Sequence, residues 1–334
     1  MKSTFIDVPN PLTIKTFQVS HDRFRSLQGR KDKMKKVLKW IGIVLGVIIA
    51  ALLLVVIGLF VYGNLRLSAV HTFPDDNISI PTDAASLAHG KHLVSILCSD
   101  CHGQDLSGKS PWFAWAPMGS VDSINLTSGA GGIGSTFTDR NYVQAIRHAI
   151  DPQGHGTFMV SVLAFQNLSD ADLGAIIAYV KSVPPVDHQT NGKQFTPMAK
   201  ILLAVGMIPW PVDLAAHKEN ITAPAPGATV EYGAYMVNSF GCKDCHGKNL
   251  SGGPHPQPNI NFTVPNITPG SEVKSWTEAQ FMTALRTGVT PSGHALNPDL
   301  MPWKQWSMFS DDEIKAIFMY LQSVPALPQN YSRQ

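Results

Sequence analysis

Residues 40–65, "WIGIVLGVIIAALLLVVIGLFVYGNL", form an unbroken apolar run without one charge. About 20 such residues suffice to cross a bilayer core as a helix. Past this run the pattern turns periodic. Leu87, Leu93, Val94 and Leu97, and later Tyr235, Met236 and Phe240, recur at helical spacing. Ser169-Asp170-Ala171-Asp172 and Ser310-Asp311-Asp312-Glu313 each read as an N-cap followed by an acidic first turn, and the second adds a Ser-x-x-Glu capping box. Both helices should stop before "SVP", where proline discourages continuation. Middle helices are predicted over 139–149 and 278–287, after Phe137-Thr138 and Trp276-Thr277. No strand-length alternation recurs, and Pro/Gly-rich stretches such as "GGPHPQPNINFTVPN" read as loops.

These elements occur twice, in order. "SLAHGKHLVSILCSDCHGQDLSG" matches "VEYGAYMVNSFGCKDCHGKNLSG", "INLTSG" matches "PNITPG", and "LSDADLGAIIAYVKSVPPV" matches "FSDDEIKAIFMYLQSVPAL". The offset is 144 residues at the cysteines and 141 at Tyr179/Tyr320 and Pro184/Pro325. Two copies of one helical unit of roughly a hundred residues follow from this order.

The expected division is a basic tail at 1–36, an anchor at 37–64, a linker at 65–83, the first copy at 84–186, a connector at 187–227, the second copy at 228–328 and a tail at 329–334. Residues 1–33 show no sustained apolar period and are expected to be poorly ordered. The stretch "MKKVLKWIGIVLG" resembles the start of an exported anchor, so translation from Met34 is an expectation. The connector stretch "MAKILLAVGMIPWPV" is too short to span a bilayer. It is expected to pack on a copy or rest on the membrane face.

Charge refines the topology. Residues 1–39 hold ten Lys or Arg against three Asp, whereas only Arg66 follows the apolar run closely. That bias places the N-terminus in the cytoplasm. The rival is a cleaved signal peptide: its apolar region is usually shorter than this run, but "LSA" at 67–69 offers it a cleavage site. The basic head reads as positive-inside charge and not as a nucleic-acid surface.

The chain has four cysteines, all in "CSDCHG" (98–103) and "CKDCHG" (242–247). Cys at i and i+3 with His at i+4 places all three side chains on one side of a helical turn. C-x-x-C-H reads as covalent attachment of a c-type haem, with two thiols tethering the macrocycle and the imidazole binding iron. A redox dithiol needs no His, and a four-cysteine zinc site would need both pairs in one place. The chemistry therefore predicts two haem c groups. Cys98, Cys101, Cys242 and Cys245 are the tethers, and His102 and His246 the proximal ligands. Methionine is the usual distal ligand of an electron-carrying haem c. Met159, ten residues before Ser169, and Met301, nine before Ser310, hold matching placements. Met118, Met308, His155 and His294 are the competitors. The carbonyls of Pro117 and Pro258 are the expected partners that orient the proximal histidines.

Each copy resembles a class I cytochrome c domain: helix, CxxCHG, a loop with N-[IL]-T, a middle helix, a distal Met, and a last helix with Tyr before "SVP". In detail the chain is similar to the multihaem cytochrome subunits of membrane-bound alcohol and gluconate dehydrogenases. Trp276-Thr277, "ALRTGV" and Met301-Pro302 carry that pattern; Phe137-Thr138, "AIRHAI" and Met159-Val160 depart from it. The resemblance implies an all-α fold, two tandem class I cytochrome c domains after one transmembrane helix, in a bacterial inner membrane with the haem domains on the periplasmic side. It implies single-electron relay, not catalysis, between redox partners: a dehydrogenase, a quinol-oxidising complex or a terminal oxidase. The alternative is a haem enzyme, peroxidase-like or oxidising sulfur compounds, with a labile distal site in the first copy. No Gly-rich phosphate loop or nucleophile motif offers other chemistry.

Overall fold

A computed structural model describes residues 15–159, 161–257 and 260–330, with side chains from residue 30 onward except 32. The chain divides into two compact units, 1–61 and 62–334. In the first, helix α1 (Lys15–Leu67) carries the apolar run. Within its part from Lys33 an 18-residue window has a mean hydropathy of 3.3, and none of that window is buried; Leu54 is 71% exposed. Among the described residues this is the one helix long and apolar enough to cross a membrane. Helix already begins at Lys15, within the segment expected to be poorly ordered. Adding a turn to an existing helix is far easier than nucleating one, and Lys, Arg, Gln and Leu all tolerate it. Residues 1–14 of the expected tail lie outside the described residues, as does most of the expected tail at 329–334.

The second unit holds both copies. The first comprises α2 (Ala84–Leu97), α3 (Ser99–His102), β1 (Lys109–Trp115), β2 (Gly119–Ser123), α4 (Asp139–His148), α5 (Val162–Phe165) and α6 (Asp170–Ser182). The connector contributes β3 (Lys193–Phe195), α7 (Pro197–Ala204) and α8 (Pro211–Leu214). The second copy comprises α9 (Val230–Ser239), α10 (Cys242–His246), β4 (Gly253–Pro254), β5 (Thr263–Val264), a 3-10 turn (Glu272–Ser275), α11 (Glu278–Thr287), α12 (Trp303–Trp306) and α13 (Asp311–Ser323).

First and last helices cross in each copy. Gly90 of α2 lies against the Ala175 carbonyl and Tyr179 of α6; Gly233 of α9 lies likewise against Ala316 and Tyr320 of α13. A Cβ at either glycine would overlap that carbonyl oxygen, so the crossing requires glycine. These glycines are 143 residues apart while the cysteines are 144 apart. The extra residue is Gly241, which sits in the left-handed region at φ 85° between α9 and Cys242. It lets the second CxxCH turn start one residue later without moving the helix crossing.

Local chemistry explains the repeated motifs. Thr138 and Thr277 each form a capping box, with Asn141 and Gln280. Ser310 does so with Glu313 as the sequence predicts. Asn125 and Thr127 both donate to the Val186 carbonyl, and Asn266 and Thr268 to that of Leu327. N-[IL]-T thus pins its loop to the chain leaving the last helix. Arg147 and Arg286, from the middle helices, bond Asp170 and Asp311 in the first turn of the last helices.

The largely helical unit also contains a three-stranded antiparallel sheet in the order β1-β2-β3. Phe113 faces Val121, Trp115 faces Gly119, and Gly119 also pairs with Phe195. Alternation does not announce it, because Pro111 and a register shift interrupt β1, and β3 arrives from the connector. The connector packs on the first copy. Leu203, Trp210 and Val212 bury with Ile150, beside Leu67, Phe73 and Phe195.

One apolar core runs through both copies, joining Leu93, Leu173 and Ile177 to Met236, Phe309 and Ile314. Their contact has approximate two-fold symmetry. His92 of α2 bonds Glu313 at the start of α13 (2.9 Å), and Tyr235 of α9 donates to Asp172 at the start of α6. Tyr235 follows His92 by 143 residues and Glu313 follows Asp172 by 141, the offsets of their helices.

These ties predict how stability varies with pH. Burial raises the pKa of Asp172, but bonds from His89 (2.6 Å) and Tyr235 outweigh it, and the carboxyl titrates below its usual range. Glu313 is likewise lowered, by His92 and Ser310 against burial. A lowered carboxyl stabilises the fold above the unfolded pKa, and that contribution is lost as pH falls through the folded value. The Asp172 bond raises the pKa of His89, with burial opposing. Its contribution is full below the unfolded pKa and is lost as pH rises through the folded one. Stability should therefore peak between about pH 4 and 6.5. The urea midpoint across pH checks this. Asp172→Asn should flatten both limbs, and an unchanged profile in that variant would contradict the assignment.

Candidate haem site

The CxxCH segments occupy the short helices α3 and α10. His102 Nδ1 lies 2.8 Å from the Ile124 carbonyl, and His246 Nδ1 lies 2.8 Å from that of Pro265. A carbonyl only accepts, so Nδ1–H is the donor in both rings and Nε2 carries the lone pair. The Pro117 carbonyl, the expected partner of His102, instead accepts from Thr196 Oγ1 at 2.6 Å. Pro258, the counterpart expectation, lies outside the described residues, and Pro265 is the carbonyl that meets His246. The signal lies one residue before each N-[IL]-T. The Asn and Thr that pin the loop also fix the preceding carbonyl.

Burial sets the electrostatics. It pushes the Cys98, Cys101 and Cys242 thiols up to about 12, and it lowers the pKa of His102. Neutral, partly covered thiols are unlike the depressed thiolates of redox dithiols. A neutral imidazole is the form that binds a metal.

In the second copy, Cys242, His246 and Met301 line one pocket. Val237, Leu285, Phe309 and Leu321 complete much of an apolar wall without a charged residue. Two thiols on one turn, an imidazole fixed by its far nitrogen, a thioether and an apolar enclosure fit a covalently held haem. In the first copy the matching positions are Val94, Cys98, His102, Ile146, Leu168 and Val180, again apolar around the motif.

The segments that hold Met159 and Met301 differ. Thr157 and Leu296 are equivalent, since each N–H bonds the carbonyl that ends the middle helix, Ala149 or Gly288, at 2.7 Å. Five residues separate Thr157 from the start of α5 at Val162, and seven separate Leu296 from the start of α12 at Trp303. Met159 therefore stands three residues before its helix and Met301 two. Both are partly buried. Met118 lines a different, smaller cavity with Leu67, Phe195 and Leu203. Met308 packs against the shared core. His155 and His294 end matching turns, in which the Asp151 and Thr290 N–H groups bond their carbonyls at 2.9 Å.

Residues 87–184 match the cytochrome c family model. The chain thus carries a cytochrome c domain, a haem- and iron-binding electron-transport module. Across 74% of its length it is also homologous to dehydrogenase cytochrome subunits. It is 28% identical to the fructose dehydrogenase cytochrome subunit of Gluconobacter japonicus, covering 55% of that protein. It is 25% identical to the cytochrome c subunit of a quinone-dependent alcohol dehydrogenase from Gluconobacter oxydans, covering 56%. The corresponding alcohol dehydrogenase subunit of Komagataeibacter europaeus is also 25% identical, with 57% of that protein covered. The chain spans about half the length of these cytochrome subunits. The relationships support covalent haem c and electron transfer.

Proposed function

We propose that the chain is a membrane-anchored carrier of two haem c groups, built as two tandem class I cytochrome c domains at 84–186 and 228–328. It relays single electrons between a dehydrogenase or quinol-oxidising complex and a terminal acceptor. The observation that carries this reading is the repeated geometry: two CxxCH turns, each with its His Nδ1 2.8 Å from the carbonyl before N-[IL]-T. A haem held by the His and Met of each copy would supply a one-electron change at a raised potential.

The protein's own part is to hold that centre still. Cys98 and Cys101, and Cys242 and Cys245, fix the tethered edge of each group. Ile124 and Pro265 hold the proximal rings, and Met159 and Met301 supply the distal thioethers. Apolar walls exclude water and substrate. α1 anchors the carrier in the bacterial inner membrane as a single pass, with the haem domains in the periplasm and the basic residues inside. Electron transfer without catalysis is the outcome this favours. The departure around Met159 favours one alternative, a haem enzyme with a labile first site.

A potentiometric titration of the purified chain should resolve two one-electron waves, with no turnover of peroxide. A single wave, or peroxide-dependent oxidation of a donor, would overturn the carrier reading. Protease added to intact spheroplasts should remove the haem domains; their protection would overturn the orientation.

A further inference from the structure

A second polar cluster lies outside the haem motifs. Asp76 comes from the linker, His148 ends α4, and His217 comes from the connector. One ligand atom from each falls within 4.8 Å of the others. His148 Nε2 is 3.5 Å from Asp76 Oδ2, and His217 Nδ1 is 3.6 Å from Asp76 Oδ1. These separations are too long for hydrogen bonds. They are close to the spacing of neighbouring ligands that share one ion at about 2.0–2.1 Å.

The unpaired atoms point the same way. His148 is 0% exposed, and neither of its ring nitrogens has a hydrogen-bond partner among the described residues. Asp76 Oδ1 and His217 Nδ1 are also buried and unpartnered. Leaving such groups unsatisfied is costly. His217 Nε2 lies 2.9 Å from Glu219 Oε1. That carboxylate accepts the hydrogen bond of Nε2–H, which leaves the lone pair on Nδ1, facing the Asp76 oxygen. Two acceptors then face each other across a gap that calls for a cation. Phe73 stacks on His148 at 4.2 Å and fixes its plane.

Charge agrees. Asp76, Asp170 and Glu219 contribute three negative charges around the cluster, and Arg147, bonded to both aspartates, contributes one positive. With both imidazoles neutral, a divalent cation brings the group to zero. Nothing equivalent is built among the described residues of the second copy, where Thr287 stands in place of His148 and Arg286 bonds Asp311 and the Ser307 carbonyl.

We propose that Asp76, His148 and His217 form a binding site for a divalent transition-metal cation of the zinc type, which staples linker, middle helix and connector onto the first copy. The set has two imidazoles and one carboxylate, a donor mixture that suits zinc, and Glu219 orients one imidazole from behind. Three protein ligands leave the fourth position of such an ion to a water.

The test uses the full-length haem-loaded chain in detergent, stripped with EDTA and titrated with zinc chloride. One zinc per chain should survive dialysis, and its X-ray absorption edge should show two imidazoles and oxygen ligands. His217→Gln should weaken retention by more than about 100-fold, and Glu219→Gln, at the outer position, by about 10–100-fold. Neither should change haem content or the visible spectrum. Failure of the parent chain to hold zinc would overturn the site and leave a bridging water as the occupant. Undiminished zinc affinity in His217→Gln would also overturn it. If that variant does not fold, unchanged affinity in Glu219→Gln has the same force.

Discussion

Replacing Met301 by His is expected to lower the potential of one haem by a few tenths of a volt and to leave the other nearly unchanged. Axial ligands tune haem potentials across roughly 0.8 V, and a thioether favours the reduced iron that an imidazole does not. Met301 and His246 line one apolar cavity with Cys242, so the substitution acts at that centre. Met159→His should act on the other haem. Met118→Leu should alter neither, because Met118 lies in a separate cavity with Leu67 and Phe195. Redox titration, followed in the long-wavelength sulfur-to-iron band, reads all three variants. Potentials and band both unmoved in Met301→His would remove Met301 as a ligand.

Gly233→Val is expected to destabilise the fold by about 3 kcal/mol or more, at the upper end of overpacking costs. The added carbons would overlap the Ala316 backbone at the point where α9 crosses α13. No rotamer relieves a clash at Cβ. The helices would have to part, and α9 also carries Tyr235, which bonds Asp172 in the other copy. The loss should therefore appear as one cooperative transition at lower temperature, since one core joins the copies. Thermal unfolding followed by circular dichroism measures it. A melting temperature equal to that of the parent chain would show that the crossing is not as tight as described.

What the sequence shows and what it conceals divide along contact range. Period and caps are local, so the helices starting at Asp139, Asp170, Glu278 and Asp311 begin where the sequence places them. The CxxCH turns are local too. The carbonyls behind His102 and His246 lie 22 and 19 residues away, and Pro117 misleads because loop path, not composition, decides which carbonyl arrives. The one-residue step at Gly241 is hidden by the identical "CHG" that follows it. The paired contacts of His92 with Glu313 and Tyr235 with Asp172 cross from one copy to the other, beyond any periodicity. Asp76, His148 and His217 belong to three separate segments, and each alone reads as an ordinary polar residue. The short sheet falls between these cases, because β3 comes from the connector.

Two covalent haems per polypeptide are the central claim, and mass spectrometry of the denatured chain tests it most directly. The intact mass should exceed that of the polypeptide by two haems. Peptide fragments should place one on Cys98 and Cys101 and the other on Cys242 and Cys245. A mass carrying one haem, or haem released by acid acetone from either motif, would contradict the account.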